Sequence, residues 1–284
     1  MKRTLLGIGL ACGVLSVPAT AGIPVEEEMT CPIGGETFTY TATASYSTFG
    51  SRPDGKPYGS WTFPIPLPEC PTNRLVMYRE FQPQELVSLD RLIGSEAYRA
   101  LSDDTPYYRA QWLENQLNET PVMPWLLMRA IWQTDQQPAL RTRYLTEFVD
   151  QAGAFAADPA DADTLFLAYR RVNALRELGQ FDEARAALAL IPADPSQGED
   201  LAWLAEQIPL MRAVIDTGDR SRVPYSLVPE DVASLRCAYE AEQGQSPAAW
   251  CLDPQHQDSV QKASRELDEM EEYLETVLRE IGLM

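Results

Sequence analysis

Proline punctuates the chain from residue 83 onward. Pro83, Pro106, Pro124, Pro138 and Pro229 each stand at the head of a stretch whose apolar residues recur at three- and four-residue spacing. Proline suits the first turn of a helix, because its fixed φ is pre-organised and its missing N–H has no partner there. The pattern predicts helices over Pro83 to Gly94, Ser95 to Leu101, Pro106 to Leu117, Pro124 to Gln133 and Pro138 to Ala156. It continues over Asp161 to Leu178, Asp182 to Leu190, Glu199 to Ile215, Pro229 to Glu242 and Gln257 to Ile281. With the short Ser95 to Leu101 segment set aside, about nine helices with short connections imply a mainly α fold of stacked helical hairpins.

Residues 22–80 read differently. Phe38 to Ala42 and Ser45 to Phe49 are β-prone, Asp54-Gly55 is a turn signal, and Trp61 to Phe63 and Leu75 to Tyr78 are further short strand candidates. Pro64, Pro66 and Pro68 cannot donate to a ladder, so that stretch is an edge or an extended linker. The acidic trio Glu26 to Glu28 reads as a solvated tail.

The first residues read as an address. Lys2 and Arg3 precede an apolar run from Leu5 to Val17, and Ala19-Thr20-Ala21 is a small-x-small cleavage pattern. The expectation is a signal peptide over 1–21 and an exported protein, periplasmic or secreted. No later segment is apolar for long enough to span a bilayer, so no stable membrane insertion is expected.

The full chain carries 23 Lys and Arg against 42 Asp and Glu, and losing Lys2 and Arg3 leaves 21 against 42, a formal charge of -21. That balance argues against nucleic acid, whose phosphates require clustered cations. His256 is the lone histidine, placed in a polar loop and read as an exposed structural residue. No Gly-x-Ser-x-Gly elbow and no phosphate-cradling Gly-Lys-Ser/Thr loop occurs.

Cys12 leaves with the signal, and Cys31, Cys70, Cys237 and Cys251 remain. Four cysteines permit three pairings; sequence proximity favours Cys31 with Cys70 and Cys237 with Cys251. Cys31-Pro32-Ile33-Gly34-Gly35 and Cys70-Pro71-Thr72-Asn73 each resemble half of a zinc ribbon, whose knuckle reads Cys-Pro-x-Cys-Gly. Gly34 and Asn73 stand where the second thiolates would be, so the four ligands of a structural zinc are not there. The resemblance implies a metal site collapsed to two facing thiols, which an oxidising compartment would close. No metal and no cofactor are expected.

Leu175-Arg176-Glu177-Leu178-Gly179-Gln180-Phe181-Asp182-Glu183-Ala184 resembles the turn of a tetratricopeptide repeat, within a match from Leu165 to Ser196. There the glycine ends one helix, the aromatic packs at the turn, and the alanine lets the second helix approach. Val172 and Leu175 depart from the family pattern, and no second copy follows at the family's spacing of about 34 residues. The resemblance implies protein or peptide binding.

The organisation expected is therefore a signal at 1–21, a small disulfide-closed β-rich module at 22–80, a helical-hairpin body at 81–256 and a capping helix at 257–284. In the last helix Val260, Leu267, Leu274 and Ile281 recur every seven residues, with Ala263, Met270 and Val277 between them. This seam resembles a coiled coil, but Tyr273 and Leu278 widen the stripe, and Glu266 would face Glu271 in a parallel homodimer. A monomer whose last helix docks on its own chain is expected.

The functional expectation is a non-enzymatic scaffold binding a protein or peptide of the bacterial envelope. The alternative is a cofactor-independent hydrolase using two carboxylates on envelope carbohydrate, with no pair selectable from sequence. Trp112, Trp125 and Trp132 are the candidate binding residues: either an aromatic groove or ordinary core packing.

Overall fold

The computed structural model describes residues 22–192 and 199–280; the expected signal peptide, the Ile281 end of the heptad seam and the side chain of Leu274 lie outside the described residues. The fold is mainly α, with a small β-rich portion at the amino end. β1 (Ile23–Thr30) pairs antiparallel with β2 (Thr37–Ser45), and β3 (Thr48–Ser51) pairs antiparallel with β4 (Pro57–Gly59).

β1 corrects the reading of Glu26 to Glu28 as a solvated tail. They pair with Thr41, Tyr40 and Thr39 of β2, and the Thr41 hydroxyl donates to Glu26 at 2.7 Å. Their exposed side chains left no apolar alternation to read, while the backbone found its ladder partner in a threonine-rich strand. Neither Trp61 to Phe63 nor Leu75 to Tyr78 forms a strand; Val76 makes only a single bridge to Glu69.

Eleven helices follow among the described residues. The first three are α1 (Leu86–Ile93), α2 (Glu96–Arg99) and α3 (Pro106–Leu117). The next five are α4 (Trp125–Trp132), α5 (Pro138–Ala152), α6 (Ala162–Leu178), α7 (Phe181–Leu188) and α8 (Glu199–Asp216). Last come α9 (Glu230–Glu242), α10 (Ala249–Leu252) and α11 (Gln257–Glu280). α3 begins where the sequence places it because Thr105 caps the Tyr108 N–H and Pro106 takes the first turn. The α6–α7 turn is closed by Gly179 at φ +81°, with the Gln180 N–H donating to the Leu175 carbonyl at 2.9 Å. Ala184 is fully buried where α7 packs on α6.

The large core is built by α3 to α8, with Leu127, Ile131, Tyr144, Phe148, Leu165, Tyr169 and Val172 at its centre. A second core joins Cys31, Cys70 and Leu75 to Leu89, Ile93, Tyr98 and Leu113. That core runs across residue 80, so residues 22–80 have no apolar interior of their own: α1 to α3 supply half of it.

Both expected cystine bridges are present, Cys31–Cys70 and Cys237–Cys251. The two turns carrying the first bridge are built alike. In one, the Cys31 N–H donates to the Glu36 carbonyl and Gly35 back to Cys31; in the other, Cys70 donates to Leu75 and Arg74 back to Cys70.

α9 and α11 run side by side in the same direction. Ser259, near the start of α11, donates to Glu230 at the start of α9 at 2.9 Å, and Ala263 and Leu267 pack on Ala238 further along. The Cys237–Cys251 bridge holds the return segment against α9.

Candidate functional site

The three tryptophans do not converge on a groove. Trp112 packs on the second core and tilts against Tyr98 with ring centroids 5.7 Å apart. Trp125 packs on the helical core. Trp132, at the other end of α4, is buried, and its indole N–H donates to the Asp54 carbonyl at 2.9 Å. Seven-residue spacing does place Trp125 and Trp132 on one side of α4, but the chain's own β3–β4 turn has already taken Trp132.

That turn is the centre of a buried ion cluster. Gly55 holds φ +85°, and a Cβ there would meet Arg170 Nε at 3.1 Å, so only glycine lets the turn lie so close to α6. Asp54 accepts from Arg52 at 2.7 Å and from Arg141 of α5 at 3.0 Å. Glu177 of α6 accepts from the same Arg141 nitrogen at 2.8 Å. Lys56 donates to Asp135 at 2.7 Å and to the Trp132 carbonyl at 3.0 Å, and Arg170 donates to the Pro53 carbonyl at 2.6 Å. One turn is thus clasped by α4, α5, α6 and the loop between α4 and α5.

The electrostatics split the two carboxylates. Burial alone would raise Asp54, but Arg52 and Arg141 outweigh it and hold the carboxyl at about 2. Burial raises Glu177, with Arg141 opposing it and Asp54 adding to the rise. Such splitting is what a general acid and base require. Here, however, Asp54 is 5 % exposed and each carboxylate is engaged by guanidinium. Asp54 presents no open face to a substrate, so the cluster acts as a clasp.

His256 is not an exposed loop residue. Its ring stacks on Trp250 with centroids 3.8 Å apart, and Nδ1 lies 3.1 Å from Glu230. With Gln255 donating to Nε2, the Nδ1 proton points at Glu230. Ser259 donates to that same carboxylate oxygen. The carboxylate therefore sits between serine and histidine, whereas a nucleophilic triad needs the imidazole between them. This trio ties the start of α11 to the start of α9.

Beside it lies the arrangement best suited to holding another molecule. A cleft of about 650 Å³ separates the β3–β4 hairpin from α9 and α11. Phe49 of β3 and Tyr58 of β4 stack with centroids 6.1 Å apart and form one wall. Leu235 and Ser234 of α9 form the other, with Ala263 of α11 at its edge. Tyr58 Oη and Ser234 Oγ are both buried and have no hydrogen-bond partner. A buried hydroxyl left unpaired costs about 1 to 3 kcal/mol, so two lining one cleft form a feature that calls for an explanation. Burial lifts the Tyr58 phenol to about 12, which keeps it a neutral donor at physiological pH. Phe49 and Leu235 remain exposed at 58 % and 44 %. The rim carries Glu230, Asp231 and Glu266 against Lys262.

None of Phe49, Tyr58, Ser234 or Leu235 stands out in the sequence. Tyr58 sits in Lys-Pro-Tyr-Gly and Ser234 inside an ordinary helical stretch; only the fold brings the two hydroxyls to one cavity. No protein-family model, curated protein or solved structure matches the chain.

Proposed function

We propose that this is an exported, non-enzymatic binding protein of the envelope, whose cleft between the β3–β4 hairpin and α9–α11 takes a basic peptide segment of a partner protein. The observation that carries the reading is the pair of unpartnered hydroxyls, Tyr58 and Ser234, lining a cleft with exposed apolar walls. A peptide backbone supplies acceptors for both hydroxyls, and apolar side chains cover Phe49 and Leu235. Lysine or arginine flanking them answers Glu230, Asp231 and Glu266. The two cystines and the amino-terminal address support export, since such bridges persist in oxidising compartments. Among the described residues no helix is long and apolar enough to cross a membrane.

An array of short synthetic peptides tests this, each pairing two apolar residues with either two lysines or two glutamates. The lysine set should bind, more weakly as salt rises, and Leu235→Asp should abolish retention. Equal retention of both sets, or indifference to Leu235→Asp, defeats the proposal.

A further inference from the structure

A second cavity, independent of the cleft above, lies between the two cysteine turns and α1 to α3, with a volume of about 510 Å³. Its walls include Ile33, Ile93 and Tyr98, and three arginines reach it: Arg74, Arg99 and Arg109. In a chain of formal charge -19 such a grouping is unusual.

Arg109 is 2 % exposed. One terminal nitrogen donates to the Arg74 carbonyl at 3.0 Å, and the other pairs with Glu69. Its Nε–H has no acceptor. An arginine N–H is a donor under all conditions, so a buried one without an acceptor awaits an oxygen from elsewhere.

Arg74 supplies a second, separate observation. It holds φ +62°, alone among the described non-glycine residues, while the matching position of the sister turn is Gly35 at φ +69°. Glycine adopts that conformation freely and arginine does so under strain. The strained position carries a guanidinium at the cavity, beside the half-exposed Glu69 with which it also pairs. Strain of this kind collects where a side chain has work to do. The carboxylates present are Glu69, shared by Arg74 and Arg109, Asp90 on the cavity wall, and Glu36, which Thr72 holds at 2.9 Å. None of them meets Arg109 Nε.

We infer that this cavity is a binding site for an organic carboxylate with a short apolar body, its oxygens received by Arg109 Nε, Arg74 and Arg99 and its carbon chain by Ile33, Ile93 and Tyr98. A free carboxylic acid and the terminal carboxylate of a peptide share this chemistry.

Titration calorimetry on the purified protein decides the matter. The probes are hexanoate and the tripeptide Gly-Gly-Leu, each against its amide. At least one carboxylate should bind saturably and its amide should not; whichever binds identifies the source. Arg74→Gly relieves the backbone strain, so it should melt no lower than wild type while binding the carboxylate about tenfold more weakly, the weight of one charge-assisted contact. Arg99→Gln, at an exposed position, should weaken binding likewise. If neither carboxylate binds, if the amides bind equally, or if both variants keep wild-type affinity, the inference is wrong.

Discussion

The indole N–H of Trp132 donates to the backbone carbonyl of Asp54 at 2.9 Å, joining the end of α4 to the tip of the β3–β4 hairpin. The hydrogen bond seals a turn whose other polar groups meet Arg141, Arg170 and Asp135. A ring that looked available to a ligand is therefore a structural part of the amino-terminal attachment. Trp132→Phe removes the donor together with part of the buried ring. It should lower stability by about 1 to 3 kcal/mol in urea unfolding, with no change in the slope.

The Asp54 carboxyl titrates lower in the folded chain, at about 2, than its ordinary 3.8. Its stabilisation is therefore complete above the ordinary value and is lost as pH falls from about 4 towards 2. Glu177, raised by burial, works in the opposite sense: it takes its proton more readily when folded, so its contribution grows as pH falls through its folded value. Asp54→Asn removes one carboxylate from between two buried guanidinium groups and should cost about 3 to 5 kcal/mol at neutral pH. Thermal melts across the acid range should show the wild type losing its advantage over this variant below about pH 4. A constant gap between them would mean that Asp54 is not ionised in the clasp.

A chain beginning at Glu80 should not melt cooperatively. It would lack Cys31, Cys70 and Leu75, which fill the second core against Leu89 and Leu113, and it would lack the turn that neutralises Arg141. Circular dichroism should retain helix while the transition broadens. A sharp melt from that shorter chain would show that α1 to α3 find a sufficient interior without the β-rich portion.

What could be read from the sequence followed from signals that lie close together in it. Thr105 with Pro106 marks the start of α3, Gly179 ends α6, and Ser95 caps α2. Each acts on backbone groups within a turn of itself. α5 stops at Ala152 rather than Ala156, an end that periodicity alone ran past. β1 escaped notice because its exposed Glu26 to Glu28 carry no alternation and the ladder partner lies across a turn. The clasp was less accessible still. Arg52, Arg141 and Glu177 look like surface charges until folding removes their water, and nothing local to any of them names the others. For the same reason Tyr58 and Ser234 emerge as a pair only in three dimensions.

Both cystines should be complete in the purified protein. Thiol titration under denaturing, non-reducing conditions should find no thiol among Cys31, Cys70, Cys237 and Cys251, which are bridged in pairs. The bridges close loops with separations of 39 and 14 residues. Loop-closure entropy assigns them about 4 and about 3 kcal/mol, so replacing Cys31 and Cys70 by serine should be the costlier change. Four titrating thiols, or the shorter loop proving the costlier to open, would contradict this.

The last helix uses its apolar stripe unevenly. α9 has 13 residues and α11 has 24, so two helices that start together at Glu230 and Ser259 part company before α11 ends. At about 1.5 Å per residue the difference is roughly 16 Å. Along the shared length Ala263 and Leu267 are buried against Ala238. Met270, level with the last turn of α9, is 50 % exposed, and Tyr273, just past the end of α9, is 68 % exposed. Of the seam's described side chains, Ala263 and Leu267 are thus spent on the chain's own α9, while the seam member Met270 and its neighbour Tyr273 face water further on. Leu267→Ala should cost about 2 to 4 kcal/mol through lost burial and the cavity left behind. Met270→Ala should change stability by less than about 0.5 kcal/mol, as exposed positions do. Sedimentation should find a monomer for wild type and both variants. If the wild type sediments as a dimer and Met270→Ala dissociates it without lowering the monomer's melting temperature, the exposed end of α11 is an intermolecular zipper, and the docking on α9 accounts for only half of what this helix does.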